Sequence, residues 1–139
     1  MKSRGKLQGY ITILQLSADM WTEALKMRTE ILYHADISLV ITMLHLKPGH
    51  VVVESGTGSG SLSTQIARSI APHGHVHTFE YNHERVKAAK DDFHNIGLDQ
   101  LITCRQRDVC TQGFPVIEGV YDSLLSVIVQ FIHHKLNIH

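Results

Sequence analysis

The sequence Val51-Val52-Val53-Glu54-Ser55-Gly56-Thr57-Gly58-Ser59-Gly60 predicts an apolar strand followed by a glycine-rich turn. Valine is branched at Cβ and packs better in a buried strand than in a helix. The glycines let the backbone turn sharply and leave room for a ligand beside the main chain. Leu62, Ile66 and Ile70 follow at steps of four, which predicts an amphipathic helix. A strand, a tight loop and a helix N-terminus together outline a nucleotide-cofactor site.

The spacing of the glycines indicates the class of cofactor. A dinucleotide fingerprint, G-x-G-x-x-G, would place its last glycine at position 61, where this chain has Ser61. The chain instead has the pattern E-x-G-x-G-x-G, which begins at Glu54 and ends at Gly60. This pattern resembles motif I of the class I S-adenosylmethionine-dependent methyltransferases, in which the loop holds the amino-acid end of the cofactor.

Two acidic residues follow where such folds contact a cofactor. Glu80 ends a predicted strand over residues 75–80, about twenty residues after the loop, and suits the acceptance of both ribose hydroxyls. Asp108 comes just past a predicted strand over residues 101–105, on the sheet edge where ligands bind. An acid there can accept a hydrogen bond from the adenine amino group. The alternative interpretation of Asp108 is a plain loop carboxylate.

Helices alternate with strands along most of the chain. A helical spacing begins at Ile37 and ends at Leu44, with Asp36 placed as its cap. Another helix is predicted over residues 83–96 and stops at Gly97. Such alternation implies a parallel sheet with right-handed crossovers. The predicted fold class is therefore α/β, a doubly wound, mostly parallel, Rossmann-like sheet that is incomplete at the C-terminus.

The composition is typical of one domain of an intracellular protein. The chain has 139 residues, of which 43% are hydrophobic, enough to bury a core, and 13 basic side chains balance 13 acidic ones. That balance neither demands nor excludes nucleic acid, because an RNA-binding surface can be local or can belong to a partner. The two cysteines give no disulfide framework, and no apolar stretch is long enough for a signal peptide or a membrane span. We expect a soluble protein with reduced thiols.

Other chemistries are weaker candidates. Cys104 and Cys110 fit no zinc spacing, and His75 and His77 share one strand face without a third ligand, so no metal site is expected. No Ser-His-Asp arrangement is readable, because the serines near the glycines are explained by the loop.

Five segments together identify a family. They are Arg28-Thr29-Glu30-Ile31-Leu32-Tyr33-x-x-Asp36, Leu46-x-Pro48-Gly49, Glu54-Ser55-Gly56-Thr57-Gly58-Ser59-Gly60, His75-x-His77-Thr78-x-Glu80 and Arg107-Asp108-Val109-Cys110. Over residues 21–122 the chain resembles the catalytic subunit of eukaryotic tRNA (adenine-N1)-methyltransferase, the enzyme that methylates adenine in the T-loop. Each motif alone is common, whereas the combination is specific.

The resemblance implies a tRNA substrate, S-adenosyl-L-methionine as methyl donor, and a nuclear heterotetramer with a non-catalytic, RNA-binding subunit. It also implies three regions. Residues 1–20, which contain a β-like stretch at 9–16, would be the remnant of an N-terminal β-rich domain; residues 21–122 would be the S-adenosylmethionine-binding Rossmann-like domain, and residues 123–139 a divergent tail. Family cofactor positions carry over onto Glu54, Gly56, Gly58, Gly60, Glu80 and Asp108, and the loop residues Thr57, Ser59 and Ser61 complete the predicted site.

The chain departs from the family near its end. The family has a catalytic Asp followed by an apolar residue and Pro; counted from Asp122, Val127 takes the place of that Asp and Val129 the place of the Pro. Three hypotheses therefore stand. The chain is an RNA adenine-N1 methyltransferase subunit, another methyltransferase of this fold such as the protein L-isoaspartyl type, or an inert fragment that binds cofactor or partner. The segment over residues 28–36 favours the first hypothesis.

Overall fold

The computed structural model describes residues 11–26, 28, 29 and 31–117, together with the backbone of residues 127–130. Helices and strands alternate along these residues. The helices are α1 (Ala18–Ala24), α2 (His34–Met43), α3 (Ser61–Ile70), α4 (His83–Asn95) and α5 (Val109–Gln112). The strands are β1 (Val51–Ser55), β2 (His75–Glu80), β3 (Ile102–Gln106) and β4 (Val127–Gln130).

The strands of the described part form one parallel sheet in the order β3-β2-β1-β4. Val52 of β1 pairs with Val76 of β2 on one side and with Val127 of β4 on the other. The valine strand therefore has a neighbour on both edges, in agreement with its apolar sequence. This arrangement confirms the predicted α/β class with a parallel sheet.

The strand order reverses beside β1. From β1 the chain steps to β2 and β3 on one side and then returns to β4 on the other. Open parallel sheets bind ligands at such a reversal, outside the carboxyl ends of the strands. The glycine loop leaves β1 at this point, so the topology brings the predicted site to the expected edge.

The main core lies between the sheet and helices α3 and α4. The predicted helical faces bury Leu62, Ile66 and Ile70 from α3 and Val86, Ala89 and Phe93 from α4. Burying a side chain as large as Leu or Phe stabilises the fold by roughly 1.5–3 kcal/mol. Helix α4 begins at a cap in which Asn82 Oδ1 accepts from the Arg85 N–H at 3.1 Å, and it ends before Gly97, whose φ is +70°.

The opposite face of the sheet is covered by the segment that follows β3. Val53 and Phe79 are buried there, packed against Val109, Phe114 and Ile117. The rings of Phe79 and Phe114 meet edge to face, with their centroids 6.1 Å apart. Chain segments therefore cover both faces of the sheet, as a doubly wound fold requires.

The strand predicted over residues 9–16 is wrong for the part that the structure describes. Residues 11–17 have no regular secondary structure, and the side chains of Ile11 and Ile13 are 92% exposed. A β-prone stretch becomes a strand only when a neighbouring strand pairs with it. Residues 9 and 10 lie outside the described part of the chain.

The predicted cap of the second helix is also wrong. Tyr33 occupies the cap position of α2 without a side-chain hydrogen bond, and Asp36 lies in the first turn. A carboxylate there favours the helix through the macrodipole rather than by capping. Of the apolar residues in α2, Ile37 is buried whereas Leu39 and Met43 are 60% and 69% exposed.

The register of β4 bears on the predicted loss of the family's catalytic acid. Val127 begins β4 level with Val52, and Gln130 ends it level with Ser55. Asp122, from which Val127 is counted, lies outside the described residues. The assignment of Val127 to the catalytic position therefore stays a prediction. The three predicted regions stay predictions too, and the limit after residue 20 falls inside α1.

Candidate functional site

The glycine loop turns through three residues with positive φ. The angle is +90° at Gly56, +53° at Gly58 and +80° at Gly60, in a region that costs other L-residues about 1–2 kcal/mol each. The loop is also fastened to β2, because the Gly56 N–H donates to the Phe79 carbonyl at 2.7 Å. The glycines of the E-x-G-x-G-x-G pattern are therefore required by the backbone.

Two of the loop glycines touch side chains from distant segments. A Cβ atom at Gly58 would lie 2.7 Å from Thr29 Oγ1, and one at Gly60 would lie 2.9 Å from Phe93 Cε1. Both distances are shorter than van der Waals contact permits. Gly56 differs, since nothing lies within 4 Å of its Cβ position. Gly58 and Gly60 thus permit close packing, whereas Gly56 leaves open space beside the main chain.

Glu80 ends β2 with a side chain that is almost fully buried. Its Oε2 accepts from the Gly58 N–H at 3.1 Å, and its Oε1 accepts from the Asn82 N–H at 3.2 Å. Arg85 Nη1 lies 3.8 Å from Oε1 and partly balances the carboxylate charge. A carboxylate has about four lone-pair positions, so both oxygens retain the capacity to accept from ligand hydroxyl groups.

Glu54 is the next-to-last residue of β1 and is 1% exposed. Ser63 Oγ donates to its Oε2. Thr78, its register partner on β2, brings a second hydroxyl to the carboxyl group that favours the charged form. Burial raises the pKa of Glu54 to about 7, because a carboxylate removed from water disfavours its charged form. The two hydroxyl groups oppose that rise in pKa, and the negative charge of Glu80 adds to it.

Asp108 follows β3 and caps the short helix α5. Its Oδ1 accepts from the N–H groups of Cys110 at 3.0 Å and Thr111 at 3.4 Å. These bonds hold the carboxylate at the edge of the sheet, where it lines the same cavity as the glycine loop and Glu80. Asp108 therefore has a structural role in the loop and also a place at the cavity.

A segment before α2 forms one wall of this cavity. The wall consists of Arg28, Thr29, Ile31 and Leu32. Thr29 Oγ1 hydrogen-bonds to Ser59 Oγ at 3.1 Å, and Ser61 Oγ donates to the Leu32 carbonyl at 3.0 Å. Arg28 Nη2 pairs with Asp92 of α4. The buried hydroxyls of Ser59 and Ser61 thus attach the wall to the glycine loop.

The cavity holds about 600 Å³ and is lined by every predicted cofactor residue. These residues are Glu54, Gly56, Thr57, Gly58, Ser59, Gly60, Ser61, Glu80 and Asp108. The volume is within the range of about 300–1,000 Å³ typical of small-molecule sites. Sequence reasoning missed the wall residues, and it also missed Tyr81 and Arg85. Tyr81 directly follows Glu80 and Arg85 lies in the first turn of α4, so their closeness in the chain to Glu80 was an available signal.

His75 and His77 form a second titratable pair, away from the cavity. Their rings share one face of β2, as predicted, with centroids 4.6 Å apart. Burial lowers the pKa of both, that of His77 to about 4, with the neighbouring cationic groups acting in the same direction. Among the described side chains, no three of His, Cys, Asp or Glu are grouped so that they could hold a metal ion. The helices of that part are also too short or too polar to cross a membrane.

The sequence is similar to a named enzyme subunit. It is 51% identical over 107 residues to the tRNA (adenine(58)-N(1))-methyltransferase catalytic subunit of Dictyostelium discoideum. The alignment covers 76% of this chain and 34% of that protein. The chain thus spans about a third of the length of this relative.

Two solved structures share the fold. A SAM-dependent O-methyltransferase from Thermotoga maritima has a TM-score of 0.64 at 30% sequence identity, over 69% of this chain and 36% of that one. The tRNA (m1A58) methyltransferase TrmI from Aquifex aeolicus has a TM-score of 0.61 at 24% identity, over 68% of this chain and 37% of that one. At 24% identity, the similarity to TrmI shows that the two chains share a fold and shows nothing about function.

A family-level match covers most of the sequence. The sequence profile of the family described as "tRNA methyltransferase complex GCD14 subunit" matches residues 9–131. This match favours the tRNA-methyltransferase resemblance over the protein L-isoaspartyl alternative. The chain therefore belongs to the GCD14 family of tRNA methyltransferase complex subunits.

Proposed function

We propose that this chain forms the cofactor-binding part of an S-adenosyl-L-methionine-dependent methyltransferase that acts on N1 of adenine in the tRNA T-loop. One observation carries the proposal: the glycine loop, Glu80 and Asp108 surround one cavity at the carboxyl edge of the sheet. The name of the Dictyostelium relative and the description of the family support the choice of reaction and substrate.

The cavity residues suit an adenosine cofactor with an amino-acid end. The open space at Gly56 allows a ligand to lie against the main chain. Helix α3 begins directly after the loop, and its first N–H groups precede any helical carbonyl that could accept from them, so they suit a carboxylate. We assign the ribose hydroxyls to Glu80 and the adenine amino group to Asp108. S-adenosyl-L-methionine, when bound, supplies an electrophilic methyl group on a sulfonium.

The chain's part in the reaction is alignment and the exclusion of water. Methyl transfer is an in-line displacement, so its rate depends on how firmly the reacting atoms are held. Ile31, Leu32 and Phe79 give the cavity apolar lining that shields it from solvent. The acceptor adenine must leave its stack to enter, and a carboxylate must take or hold the proton of its amino group. By resemblance that carboxylate is replaced by Val127.

This replacement favours a second candidate function. A chain with the donor site but without the acid near the acceptor would bind the cofactor, or a partner subunit, without turnover. We therefore expect cofactor binding by this chain and no methyl transfer by the chain alone.

The proposed partners are tRNA and a non-catalytic, RNA-binding subunit, assembled as a heterotetramer in the nucleus. The family description, a subunit of a tRNA methyltransferase complex, supports the existence of a partner. The charge balance of 13 basic and 13 acidic side chains is compatible with a partner that carries the RNA-binding surface. The RNA-binding surface is then supplied mainly by the partner.

Calorimetric titration with S-adenosylhomocysteine tests the site, with NAD as the control ligand. We expect binding of the first and not of the second. Glu80→Gln should weaken binding about tenfold or more, because a hydrogen bond to a charged group contributes about 1.5–3 kcal/mol. The matched control is Glu84→Gln, an exposed glutamate in the first turn of α4, which should leave the affinity unchanged. Equal losses in both variants would contradict the assignment of Glu80.

Methylation assays test the substrate. We expect no radiolabelled methyl transfer to a tRNA transcript from this chain alone, and the same assay with the partner subunit tests whether the assembly restores it. A transcript that lacks the T-loop adenine should accept none. Transfer to an isoaspartyl peptide would instead support the protein-repair class. Transfer to tRNA by this chain alone would refute the prediction drawn from Val127.

A further inference from the structure

A buried series of polar side chains runs beneath the glycine loop from Glu54 to Cys104. Thr78 of β2 is the register partner of Glu54 of β1, and its hydroxyl acts on the Glu54 carboxyl group as a hydrogen-bond donor that lowers its pKa. Thr78 Oγ1 lies 2.7 Å from Thr57 Oγ1. Thr57 Oγ1 lies in turn 3.6 Å from Cys104 Sγ. None of these four residues is more than 4% exposed. Because water has little access to Glu54 and Thr78, their donors must find acceptors within the series, whereas Thr57 also lines the cavity. We call these four residues the relay.

The number of protons fixes the direction of the relay when Glu54 is ionised. A carboxylate only accepts, and each threonine hydroxyl has one proton to donate. Thr78 must then donate to Glu54, and Thr57 must donate to Thr78. Burial raises the pKa of the Cys104 thiol to about 11, so the thiol keeps its proton and can donate to Thr57. Thr57 therefore has only lone pairs left for the cavity that it lines.

Protonation of Glu54 allows the opposite direction. The protonated carboxyl group is itself a donor and can donate to Thr78 Oγ1. Thr78 is then able to donate to Thr57 Oγ1. The Thr57 hydroxyl no longer donates to Thr78, so its proton is available to the cavity. The same two oxygen atoms, 2.7 Å apart, thus exchange donor and acceptor roles.

Few charged groups surround Glu54. Glu80 of β2 faces it and favours its neutral form, and Arg85 of α4 lies beside Glu80. Arg28 and Asp108 line the same cavity. Helix α3 faces Glu54 with Ser63, which does not titrate, and the sequence of β4 contains no ionisable residue. The described lining of the cavity includes no histidine, but it does include the thiol of Cys110. A titration sensed by the loop near neutral pH is therefore assigned to Glu54 by its loss in Glu54→Gln.

We propose that Glu54 is a positioning residue whose proton determines, through Thr78 and Thr57, whether the glycine loop presents a hydroxyl donor or a lone pair at the cavity wall. The relevance to a cofactor rests on the function proposed above, whereas the relay itself is a property of the free chain. Because the pKa of Glu54 is about 7, the loop changes its hydrogen-bonding character near neutral pH.

An NMR titration of the free, isotope-labelled full chain tests the relay between about pH 5 and about pH 9. We expect the amide signals of Thr57 and Gly58 to shift with the midpoint of the Glu54 carboxyl carbon. Glu54→Gln keeps a hydrogen-bonding side chain but does not titrate, so these shifts should be lost. Loop shifts that persist in Glu54→Gln would overturn the proposal.

Thr78→Val provides a second variant that leaves the carboxyl group in place. The expected result is that Glu54 still titrates while the shift at Thr57 is lost, and that Thr78→Ser, which restores a hydroxyl, recovers it. An unchanged shift at Thr57 in Thr78→Val would overturn the proposal even if Glu54→Gln failed to fold. Calorimetry with S-adenosylhomocysteine on the same samples keeps the two proposals apart. Failure to bind would contradict the proposed function, whereas the relay is decided by the spectra of the free chain.

Discussion

Single residues in the glycine loop differ in what they tolerate, and Gly58 is the most constrained. An alanine there must adopt a φ of +53° and place its Cβ 2.7 Å from Thr29 Oγ1. Thr29 would have to turn away, which breaks its 3.1 Å hydrogen bond to Ser59. We expect Gly58→Ala to lower the free energy of unfolding by about 2–3 kcal/mol, the sum of the backbone strain and one lost hydrogen bond.

Gly49→Ala is the matched control for this prediction. Gly49 has a φ of +90°, nothing lies within 4 Å of its Cβ position, and it does not line the cavity. It should therefore lose only the backbone contribution, about 1–2 kcal/mol. Urea denaturation of the two variants measures the difference. Equal destabilisation would mean that the Thr29 contact carries no cost.

The residues of the candidate site were predictable where chemistry follows from local spacing. The glycines are required by the positive φ angles of the loop. Glu54 and Glu80 lie at the carboxyl ends of β1 and β2, and Asp108 follows β3. Thr29 and Phe93 were not predictable as neighbours of the loop, because they approach Gly58 and Gly60 from distant segments. Contacts of that kind depend on how helices pack, which no local pattern contains.

At the level of elements, α1 is attached to the start of α3 by a small hydrogen-bond cluster. Thr22 Oγ1 lies 2.9 Å from Ser61 Oγ, which itself donates to the Leu32 carbonyl. One serine thus connects α1, α3 and the cavity wall. Ser61→Ala should leave the Leu32 carbonyl without this donor and cost about 1–2 kcal/mol locally.

Hydrogen exchange measures this local effect, with Ser69→Ala as the matched control. Ser69 lies in the same helix, but its hydroxyl donates to the Gln65 carbonyl within that helix. We expect faster exchange in α1 and in residues 31–33 for Ser61→Ala and almost none for Ser69→Ala. Faster exchange confined to α3 in both variants would show that Ser61 does not connect the elements.

The elements differ in how well the sequence predicts them. Helices α3 and α4 bury one face against the sheet, so their apolar spacing predicts both helix and core. Helix α2 has a similar spacing: Ile37 is buried, and Val40 and Ile41 pack partly buried against the core. Leu39 and Met43, which lie off that spacing, are exposed. Residues 11–16 alternate like a strand, but a strand also needs a neighbour. Periodicity therefore predicts an element correctly where the rest of the fold gives it a surface to pack on or a strand to pair with.

For the molecule as a whole, the buried Glu54 and the half-buried His77 should have opposite effects on stability as the pH falls. The pKa of Glu54 is raised from 4.5 to about 7, so the folded chain binds more protons than the unfolded chain between these values, and stability rises as pH falls through that window. The pKa of His77 is lowered from 6.5 to about 4. The folded chain there binds fewer protons, and stability falls as pH falls from 6.5 towards 4.

Because Glu54 and His77 affect stability in opposite directions, replacing either one should reveal the pH dependence that the other contributes. Glu54→Gln should remove a gain on the order of 3 kcal/mol, at about 1.4 kcal/mol for each pH unit, so this variant loses stability more steeply than the parent chain between pH 7 and pH 4.5. His77→Gln should have the opposite effect and a smaller one, because its ring is partly exposed and screened by solvent. His73→Gln, at an exposed histidine in the turn before β2, is the control. Urea denaturation at several pH values gives the slopes, and parallel curves for Glu54→Gln and the parent chain would rule out a protonated Glu54 in the folded molecule near neutral pH.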